Sequence, residues 1–170
     1  MRSLTSSMAL DKAALAAKLT RIQNLHDIGA VAPGAAVAAA NRQQGTFLAA
    51  EKGLNAGDAL AFEKAGWTFV RRGRDAASPT EHDVVIDADG HLKVVGHALN
   101  VKFQPTLSRE AAEKILGCYG LSIRRAMGFS PNLFLATGTQ DDIVSKARSL
   151  NQLDSVVYAE PVLIEAIKGR

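Results

Sequence analysis

Few side chains in this chain have the type and setting of a catalytic nucleophile. Ser130 stands in a Gly-Phe-Ser-Pro-Asn segment that is superficially similar to a nucleophile elbow. That motif needs a second glycine and a strand-to-helix turn, whereas this segment falls between two predicted antiparallel strands. Cys118 lies in the last turn of a predicted helix, where we expect a small buried hydrophobic residue rather than a nucleophile. The sequence therefore predicts that the chain is not itself an enzyme.

No metal or cofactor site is predicted either. The four histidines lack ligand spacing, such as a pair three or four residues apart on a helix. His91 and His97 could gather with Asp87 and Asp89 near one predicted hairpin, but a polar turn explains these residues better. A single cysteine cannot form an internal disulfide or a multi-thiolate site, so packing alone must hold the fold.

Two groups of arginines are the best argument for a nucleic-acid or acidic partner. They are Arg71, Arg72 and Arg74, and then Arg124 and Arg125. They are not interleaved with aromatic side chains as base-stacking surfaces are, and the aromatic strand signature of RNA-binding domains is missing. The formal net charge is only +3. We therefore predict solvated faces with local ion pairs, and nucleic acid is not the favoured partner.

The composition predicts a globular protein with an aliphatic core. Hydrophobic residues make up 47% of the 170 residues, but aromatic residues only 5%. The segment from Met8 to Leu19 is interrupted by charges, so no signal peptide is recognisable. The apolar run from Ile28 to Ala40 is too short to span a bilayer. We expect a soluble protein with no membrane partner. The sequence as given predicts a cytoplasmic protein, whereas a missing native leader would make it a secreted one, so the localisation stays open.

Residues 1–65 are predicted to be an Ala-rich helical region. Apolar residues at spacings of three and four favour a helix over Ala9–Ile28, and further short helices are expected between residues 35 and 51. Asp58 is placed to cap a last helix that runs to Lys64.

Residues 66–96 are predicted to form a strand and a β-hairpin. The strand covers Thr68–Val70, and the hairpin pairs Val84–Ile86 with Leu92–Val95. The turn between them is Asp-Ala-Asp-Gly, in which Gly90 accepts a positive φ.

From residue 97 to residue 161 the predicted order is strand, helix, strand, strand, helix, strand. The strands are expected over Leu99–Phe103, Ser122–Met127, Leu133–Thr137 and Val156–Tyr158, the last ending at Pro161; the first helix is capped by Ser108 and closed by Gly120, and the second is capped by Thr139 or Asp141. This order predicts an α+β fold with a ferredoxin-like βαββαβ module, in which both helices lie on one face of an antiparallel sheet. The other face would be free for a partner.

Several segments of this module, in this order and spacing, resemble the N-terminal prodomain of subtilases, particularly the fervidolysin-like type. They are Val-Lys-Phe-Gln-Pro ending at Pro105, the helix Ser108–Tyr119 with Gly-Leu after it, Asn-Leu-Phe-Leu beginning at Asn132, and above all Val-Val-Tyr-Ala-Glu-Pro ending at Pro161. The resemblance covers about residues 97–170, and residues 1–96 resemble no family that we can name.

The resemblance implies a propeptide, or a propeptide-like inhibitor and intramolecular chaperone, of a subtilisin-like serine protease. The catalytic domain of that protease would be the partner, in cis or in trans. In the family, the open sheet face packs on two helices of the protease, and an acidic residue just after the last strand caps their N-termini. Glu160 stands at the matching position.

The resemblance also implies that residues 162–170 form an extended tail, which would block the substrate cleft as an added strand. If the chain ends where it was cut, Arg170 fills the primary specificity pocket and Ile167 the apolar pocket three residues upstream. The implied partner-binding residues are Tyr158, Glu160, Pro161, Leu163, Ile167, Lys168, Gly169 and Arg170.

The catalytic motifs of subtilases are missing from this sequence, which has no His-Gly-Thr-His, no Gly-Thr-Ser-Met-Ala and no catalytic-type Asp-Thr-Gly. The chain would then be a prodomain fragment, a product of autoprocessing or a free-standing inhibitor. The alternative is a non-catalytic protein-interaction domain, or with less support a nucleic-acid-binding domain, that shares only the ferredoxin-like fold. Fold alone does not separate these functions.

Overall fold

The structure is a computed structural model that describes residues 4–34, 42–43, 55–71, 81–138 and 143–166. Within these ranges the protein is α+β, with four helices and an eight-stranded sheet. The helices are α1 (Leu4–Thr20), α2 (Ala56–Lys64), α3 (Arg109–Gly117) and α4 (Ile143–Leu150), and the strands are β1 (Gln23–Val31), β2 (Arg42–Gln43), β3 (Thr68–Arg71), β4 (Glu81–Ile86), β5 (Leu92–Phe103), β6 (Leu121–Ala126), β7 (Leu133–Gly138) and β8 (Val156–Glu165). None of the helices in the described ranges has the length and apolar character needed to cross a membrane.

The chain divides into two compact units. Unit 1 comprises Met1–Arg21 and His97–Val162, and unit 2 comprises Ile22–Gly96 and Leu163–Arg170. Unit 1 thus contains the helix α1 in addition to residues from His97 to Val162. The strands β5 and β8 have residues in both units.

Unit 1 has the strand order β8-β5-β7-β6, and its strands with an assigned register are antiparallel. The helix α3 connects β5 to β6, and α4 connects β7 to β8. Ser108 is the N-cap of α3, as predicted, because its Oγ accepts a hydrogen bond from the Ala111 N–H at 3.2 Å. Gly120 follows the helix with a φ of 71°, a left-handed conformation that glycine adopts without strain.

The N-terminal helix α1 is tied to unit 1 by side-chain bonds to backbone carbonyls. Lys12 Nζ donates to the Leu153 oxygen at 2.9 Å and to the Val156 oxygen at 2.7 Å, next to the start of β8. Arg148 of α4 also bonds α1: it donates to the Leu19 oxygen from Nε at 2.9 Å and from Nη2 at 2.7 Å. The Leu19 carbonyl is one of the last of α1, which have no partner within the helix, so Arg148 satisfies it.

Unit 2 is built on the strands β2, β3, β1, β4 and the first half of β5, in that order. The predicted hairpin is confirmed: β4 pairs with β5, and Gly90 in the turn has a φ of 84°. A cluster of buried residues, which we call the unit 2 core, joins the sheet to α2; its members are Leu25, Ile28, Ala30, Ala59, Phe62, Phe69, Val84, Leu92 and Val94.

The predicted helix over Ala9–Ile28 is wrong in its second half. The helix α1 ends at Thr20, and β1 follows as a strand between β3 and β4. Leu25 and Ile28 are three residues apart and both belong to the unit 2 core, because the register of β1 against β4 shifts between them. In a regular strand such residues point to opposite faces. The irregularity therefore produced a spacing that is typical of a helix.

Two further predictions are corrected at α2. The N-cap is Asn55 rather than Asp58, since Asn55 Oδ1 accepts from the Gly57 N–H at 2.9 Å and from the Asp58 N–H at 3.3 Å. Asp58 is instead buried in the first turn, with 2% of its surface exposed. The predicted end of the helix at Lys64 is confirmed.

Other predicted boundaries also differ. The two strands predicted on either side of His97 form a single strand of 12 residues, β5. Most of the predicted short helices between residues 35 and 51 lie outside the described residues, where only Arg42 and Gln43 are seen, as β2. The predicted caps Thr139 and Asp141 also lie outside them.

Candidate partner-binding site

Half of the predicted partner-binding residues lie on β8. Tyr158 is half-buried, Glu160 exposed, Pro161 buried and Leu163 half-buried. The strand does not end at Pro161 as predicted but continues to Glu165. A proline is tolerated there because, among the described strands, β8 pairs with β5 alone. The other predicted residues, Ile167, Lys168, Gly169 and Arg170, lie outside the described residues.

Tyr158 and Glu160 lie on the same face of β8. Side chains alternate along a strand, and the alternate residues Val157, Ala159 and Pro161 are buried. Burial raises the pKa of the Tyr158 hydroxyl above 10.0, and the negative charge of Glu160 raises it further. The electrostatic coupling agrees with the shared face.

The neighbouring strands of unit 1 continue this face. Ala98 is paired with Thr137, and Asn100 with Leu135, and all four are half-buried. The alternate side chains of the same strands are fully buried, as Leu99 at 0% exposure illustrates. We call the exposed and half-buried set the outer face; it consists of Ala98, Asn100, Lys102, Leu135, Thr137, Tyr158 and Glu160.

The buried face of the same sheet packs against α3. Phe103 and Phe134 lie there with ring centroids 6.2 Å apart, and the Arg109 guanidinium stands 5.8 Å from the Phe134 ring. Leu116 of α3 has 0% exposure. Helix packing and the outer face therefore use opposite sides of the strands.

A buried asparagine holds β8 beside Glu160. Asn151, which follows α4, donates from Nδ2 to the Ala147 oxygen at 2.9 Å and to the Ala159 oxygen at 2.8 Å. Its Oδ1 accepts from the Ala159 N–H at 2.8 Å. The side chain thus binds both backbone groups of the residue that precedes Glu160, and it fixes this part of the strand through its backbone.

The end of β8 belongs to unit 2, where it is held by an ion cluster. Lys93 Nζ lies 2.9 Å from Glu165 Oε1 and 3.2 Å from Asp87 Oδ2. The exposed fractions of the side chains are 11% for Lys93, 8% for Asp87 and 71% for Glu165. Lys93 is therefore shielded from water and bound to one buried and one exposed carboxylate.

The electrostatics of the cluster favour its charged form. Burial by itself raises the pKa of Asp87, but hydrogen bonds from the His91 N–H, Lys93 and the Asp89 N–H bring it below 3.8. Burial likewise lowers the pKa of Lys93, but its bonds to Glu165 and Asp87 raise it above 10.5. For both groups, the partners outweigh the cost of desolvation.

Apolar contacts hold the same segment. Ile164 and Ala166 are partly buried and pack against the unit 2 core. Trp67 packs on that core too, with its ring centroid 6.1 Å from that of Phe62 and 5.4 Å from that of His82. The first residues of the predicted tail are therefore part of the packing of unit 2.

The candidate nucleophiles do not come together. Ser130 is half-buried in the turn between β6 and β7, and its N–H donates to the Met127 oxygen at 3.2 Å. Cys118 was expected to be buried, but it is the C-cap of α3 and is exposed.

His91 and His82 each make a hydrogen bond that supports the fold. His91 Nδ1 lies 3.1 Å from the buried Asp58 Oδ2, which also accepts from the Leu92 N–H at 3.1 Å. His82 Nδ1 lies 2.9 Å from the Val95 oxygen. Among the residues that the structure describes, no group of three or more His, Cys, Asp or Glu side chains could hold a metal ion.

The arginine groups are only partly described. Arg71, Arg124 and Arg125 are exposed, whereas Arg72 and Arg74 lie outside the described residues. The strand β6, which carries Arg124 and Arg125, stands at the end of the strand order.

Sequence reasoning missed Asn151 and Lys93. A polar residue directly after a helix is typical of an exposed cap, so the sequence did not indicate that Asn151 is buried. A lysine between Leu92 and Val94 is typical of the outward position of an alternating strand. The one usable signal was the pair of carboxylates at Asp87 and Asp89 in the turn beside Lys93, which we interpreted as a polar turn.

Comparison of the chain with protein-family models, with curated proteins and with solved structures found no match.

Proposed function

We propose that this chain is a non-catalytic partner of a subtilisin-like serine protease, acting as its propeptide or as a propeptide-like inhibitor. The observation that carries the proposal is the strand order β8-β5-β7-β6 with a helix in each of the connections β5 to β6 and β7 to β8. This order supports the assignment of a ferredoxin-like βαββαβ module. The module coincides with the segments that resemble the subtilase prodomain.

The outer face supports docking on helices of the protease. It combines apolar surface from Leu135 and Tyr158 with one exposed carboxylate, Glu160. An exposed carboxylate can accept hydrogen bonds from the free N–H groups at a helix N-terminus and favours their partial positive charge. Because Asn151 holds the backbone next to Glu160, the carboxylate would be presented from a fixed strand.

The cleft-blocking part of the chain would be shorter than the sequence suggests. Leu163 to Glu165 lie in β8, and Ile164 and Ala166 pack on the unit 2 core. We therefore assign the blocking role to Ile167–Arg170, with Ile167 and Arg170 in the two pockets that the resemblance implies. Leu163 is assigned to the support of this segment.

The test is inhibition of purified subtilisin, assayed with a chromogenic peptide and increasing amounts of the full chain. We expect tight inhibition that weakens by about tenfold or more when the chain is truncated after Ala166, since four contacting residues are lost. This truncation keeps Ile164, Glu165 and Ala166, and with them the contacts described for the end of β8.

Glu160→Gln tests the outer face. We expect about tenfold weaker inhibition, equivalent to about 1–2 kcal/mol for a charge at a helix terminus. The matched control is Glu110→Gln, which removes an exposed carboxylate from α3 and should leave inhibition unchanged. If the full chain leaves subtilisin and several other subtilisin-like proteases fully active, the proposal fails and the general protein-interaction domain takes its place.

A further inference from the structure

We propose that Lys93 is a positioning residue: it holds residues 163–166 and thereby positions the segment that follows them. With Asp87 and Glu165 it forms a clamp on unit 2 that fixes the last described residues of the chain, which end at Ala166. Unit 2 would then serve to present the segment, through Asp87 and Lys93 of the hairpin. What the segment does when presented rests on the function proposed above, whereas the clamp can be tested without any protease.

The ion cluster has one fixed and one movable side. Asp87 is buried, and its Oδ1 accepts from the N–H groups of Asp89 and His91, both at 2.9 Å, so its position is set by the hairpin turn. Asp87 in turn fixes the Lys93 ammonium. Glu165 is mostly exposed and is the only acidic residue of β8 after Glu160, so it is the group that Lys93 captures.

The segment is held on both of its sides. Side chains alternate along a strand, so Ile164 and Ala166 point to the side opposite Glu165. The two apolar residues pack on the unit 2 core, while Glu165 bonds Lys93. Contacts on both sides prevent the strand from rotating as well as from lifting off.

The clamp would set the register of the residues that follow. Slippage of an extended chain by one residue moves it by about 3.3 Å and turns every side chain to the opposite face. In the proposed function, Ile167 and Arg170 must enter two separate pockets, so such a slip would misplace both. The clamp ends at Ala166, directly before the first of them.

The first experiment measures the clamp in the full chain alone, by hydrogen exchange of peptides that cover residues 163–166. We expect Glu165→Gln to speed their exchange by about fivefold, the size of one partly exposed ion pair, and Lys93→Met to speed it more. Lys93→Arg should restore protection in part, and the control Lys64→Met, an exposed lysine of α2, should change nothing. Because Glu165 is exposed, its variant will fold even if the Lys93 variant does not.

Trp67 gives an independent reading of the same event. It is the one tryptophan in the chain, and it packs on the same core as Ile164 and Ala166. Release of the segment should therefore shift its fluorescence emission to longer wavelengths in Glu165→Gln. Unchanged exchange and unchanged emission in both clamp variants would overturn the proposal.

The second experiment separates positioning from general stabilisation. Inhibition of subtilisin is compared for wild type and Lys93→Met, each in the full chain and in the chain truncated after Ala166. We expect about a tenfold loss in the full chain and less than about twofold in the truncated one, because a positioning residue acts only through the segment it presents. Equal losses in both backgrounds would refute positioning. If wild type does not inhibit, the proposed function fails, and the exchange data alone decide on the clamp.

Discussion

Replacing Asn151 by alanine should strongly destabilise unit 1. The side chain is buried, with 7% of the residue exposed, and it makes three hydrogen bonds of 2.8 to 2.9 Å, one to Ala147 of α4 and two to Ala159 of β8. Alanine removes all three at once. The N–H and the C=O of Ala159 would then be left without that partner in the interior.

The magnitude follows from the three bonds. The Ala147 oxygen keeps the Asn151 N–H as a donor at 3.0 Å, so the loss of its second bond costs little. The two groups of Ala159 each lose a bond worth about 1 kcal/mol, and leaving them buried adds a desolvation penalty. We expect the free energy of unfolding to fall by about 2–4 kcal/mol, a large part of the 5–15 kcal/mol typical of a domain.

Guanidinium unfolding followed by far-ultraviolet circular dichroism measures this change. The midpoint should fall while the slope with denaturant stays the same, because the area exposed on unfolding hardly changes. The matched control is Gln152→Ala at the next position, which is exposed and should stay within about 0.5 kcal/mol of wild type. A loss below about 1 kcal/mol for Asn151→Ala would show that the three bonds do not hold β8 as we argue.

Three further predictions follow from single contacts. Gly138→Ala should lower the unfolding free energy by about 1–3 kcal/mol, because a Cβ there would lie 2.7 Å from a backbone carbonyl oxygen of the neighbouring turn; an unchanged midpoint would contradict this. Glu160→Gln should move the pKa of Tyr158 down towards 10.0, measured by phenolate absorbance, since one charge that raises it is lost; no movement would place the two side chains apart. The stability contributed by Asp87 and Lys93 should be lost as pH falls below 3.8, where Asp87 with its lowered pKa becomes protonated, and as pH rises above 10.5, where Lys93 with its raised pKa loses its proton; denaturant midpoints across pH test both limits, and Lys93→Met should reduce the alkaline loss, of which the part due to Tyr158 remains.

Local chemistry was predictable wherever it depends on neighbours in sequence. The cap at Ser108 and the turn at Gly90 were confirmed because a side-chain oxygen before a helix and a glycine at positive φ act within a few residues. The same rules predicted Asp58 as the N-cap of α2, whereas the N-cap is Asn55; both residue types are good caps. Asp58 is instead used by the hairpin, through the Leu92 N–H and His91, which are far away in sequence.

The strand β1 and the exposed Cys118 show what periodicity leaves out. The spacing of Leu25 and Ile28 fits a helix, and only the partners on both sides of β1 make it a strand with an irregular register. Cysteine is a residue type that is usually buried. However, the buried residues of α3 are Ala112 and Leu116, and Cys118 is exposed. Burial depends on which side of an element meets the core, and sequence spacing fixes that side only approximately.

By itself, the sequence determined the α+β class, the order of strands and helices from residue 97 onward, and the position of Tyr158 on a strand, because alternation and capping are local properties of the chain; Glu160 was predicted just after that strand but lies within it. The tertiary structure alone decided that β8 continues beyond Pro161, that Asn151 holds Ala159, and that Lys93 binds Glu165 across 72 residues of sequence. Such contacts depend on how strands distant in sequence are brought together. The alternating pattern around a lysine in a strand does not indicate which carboxylate that lysine will bind.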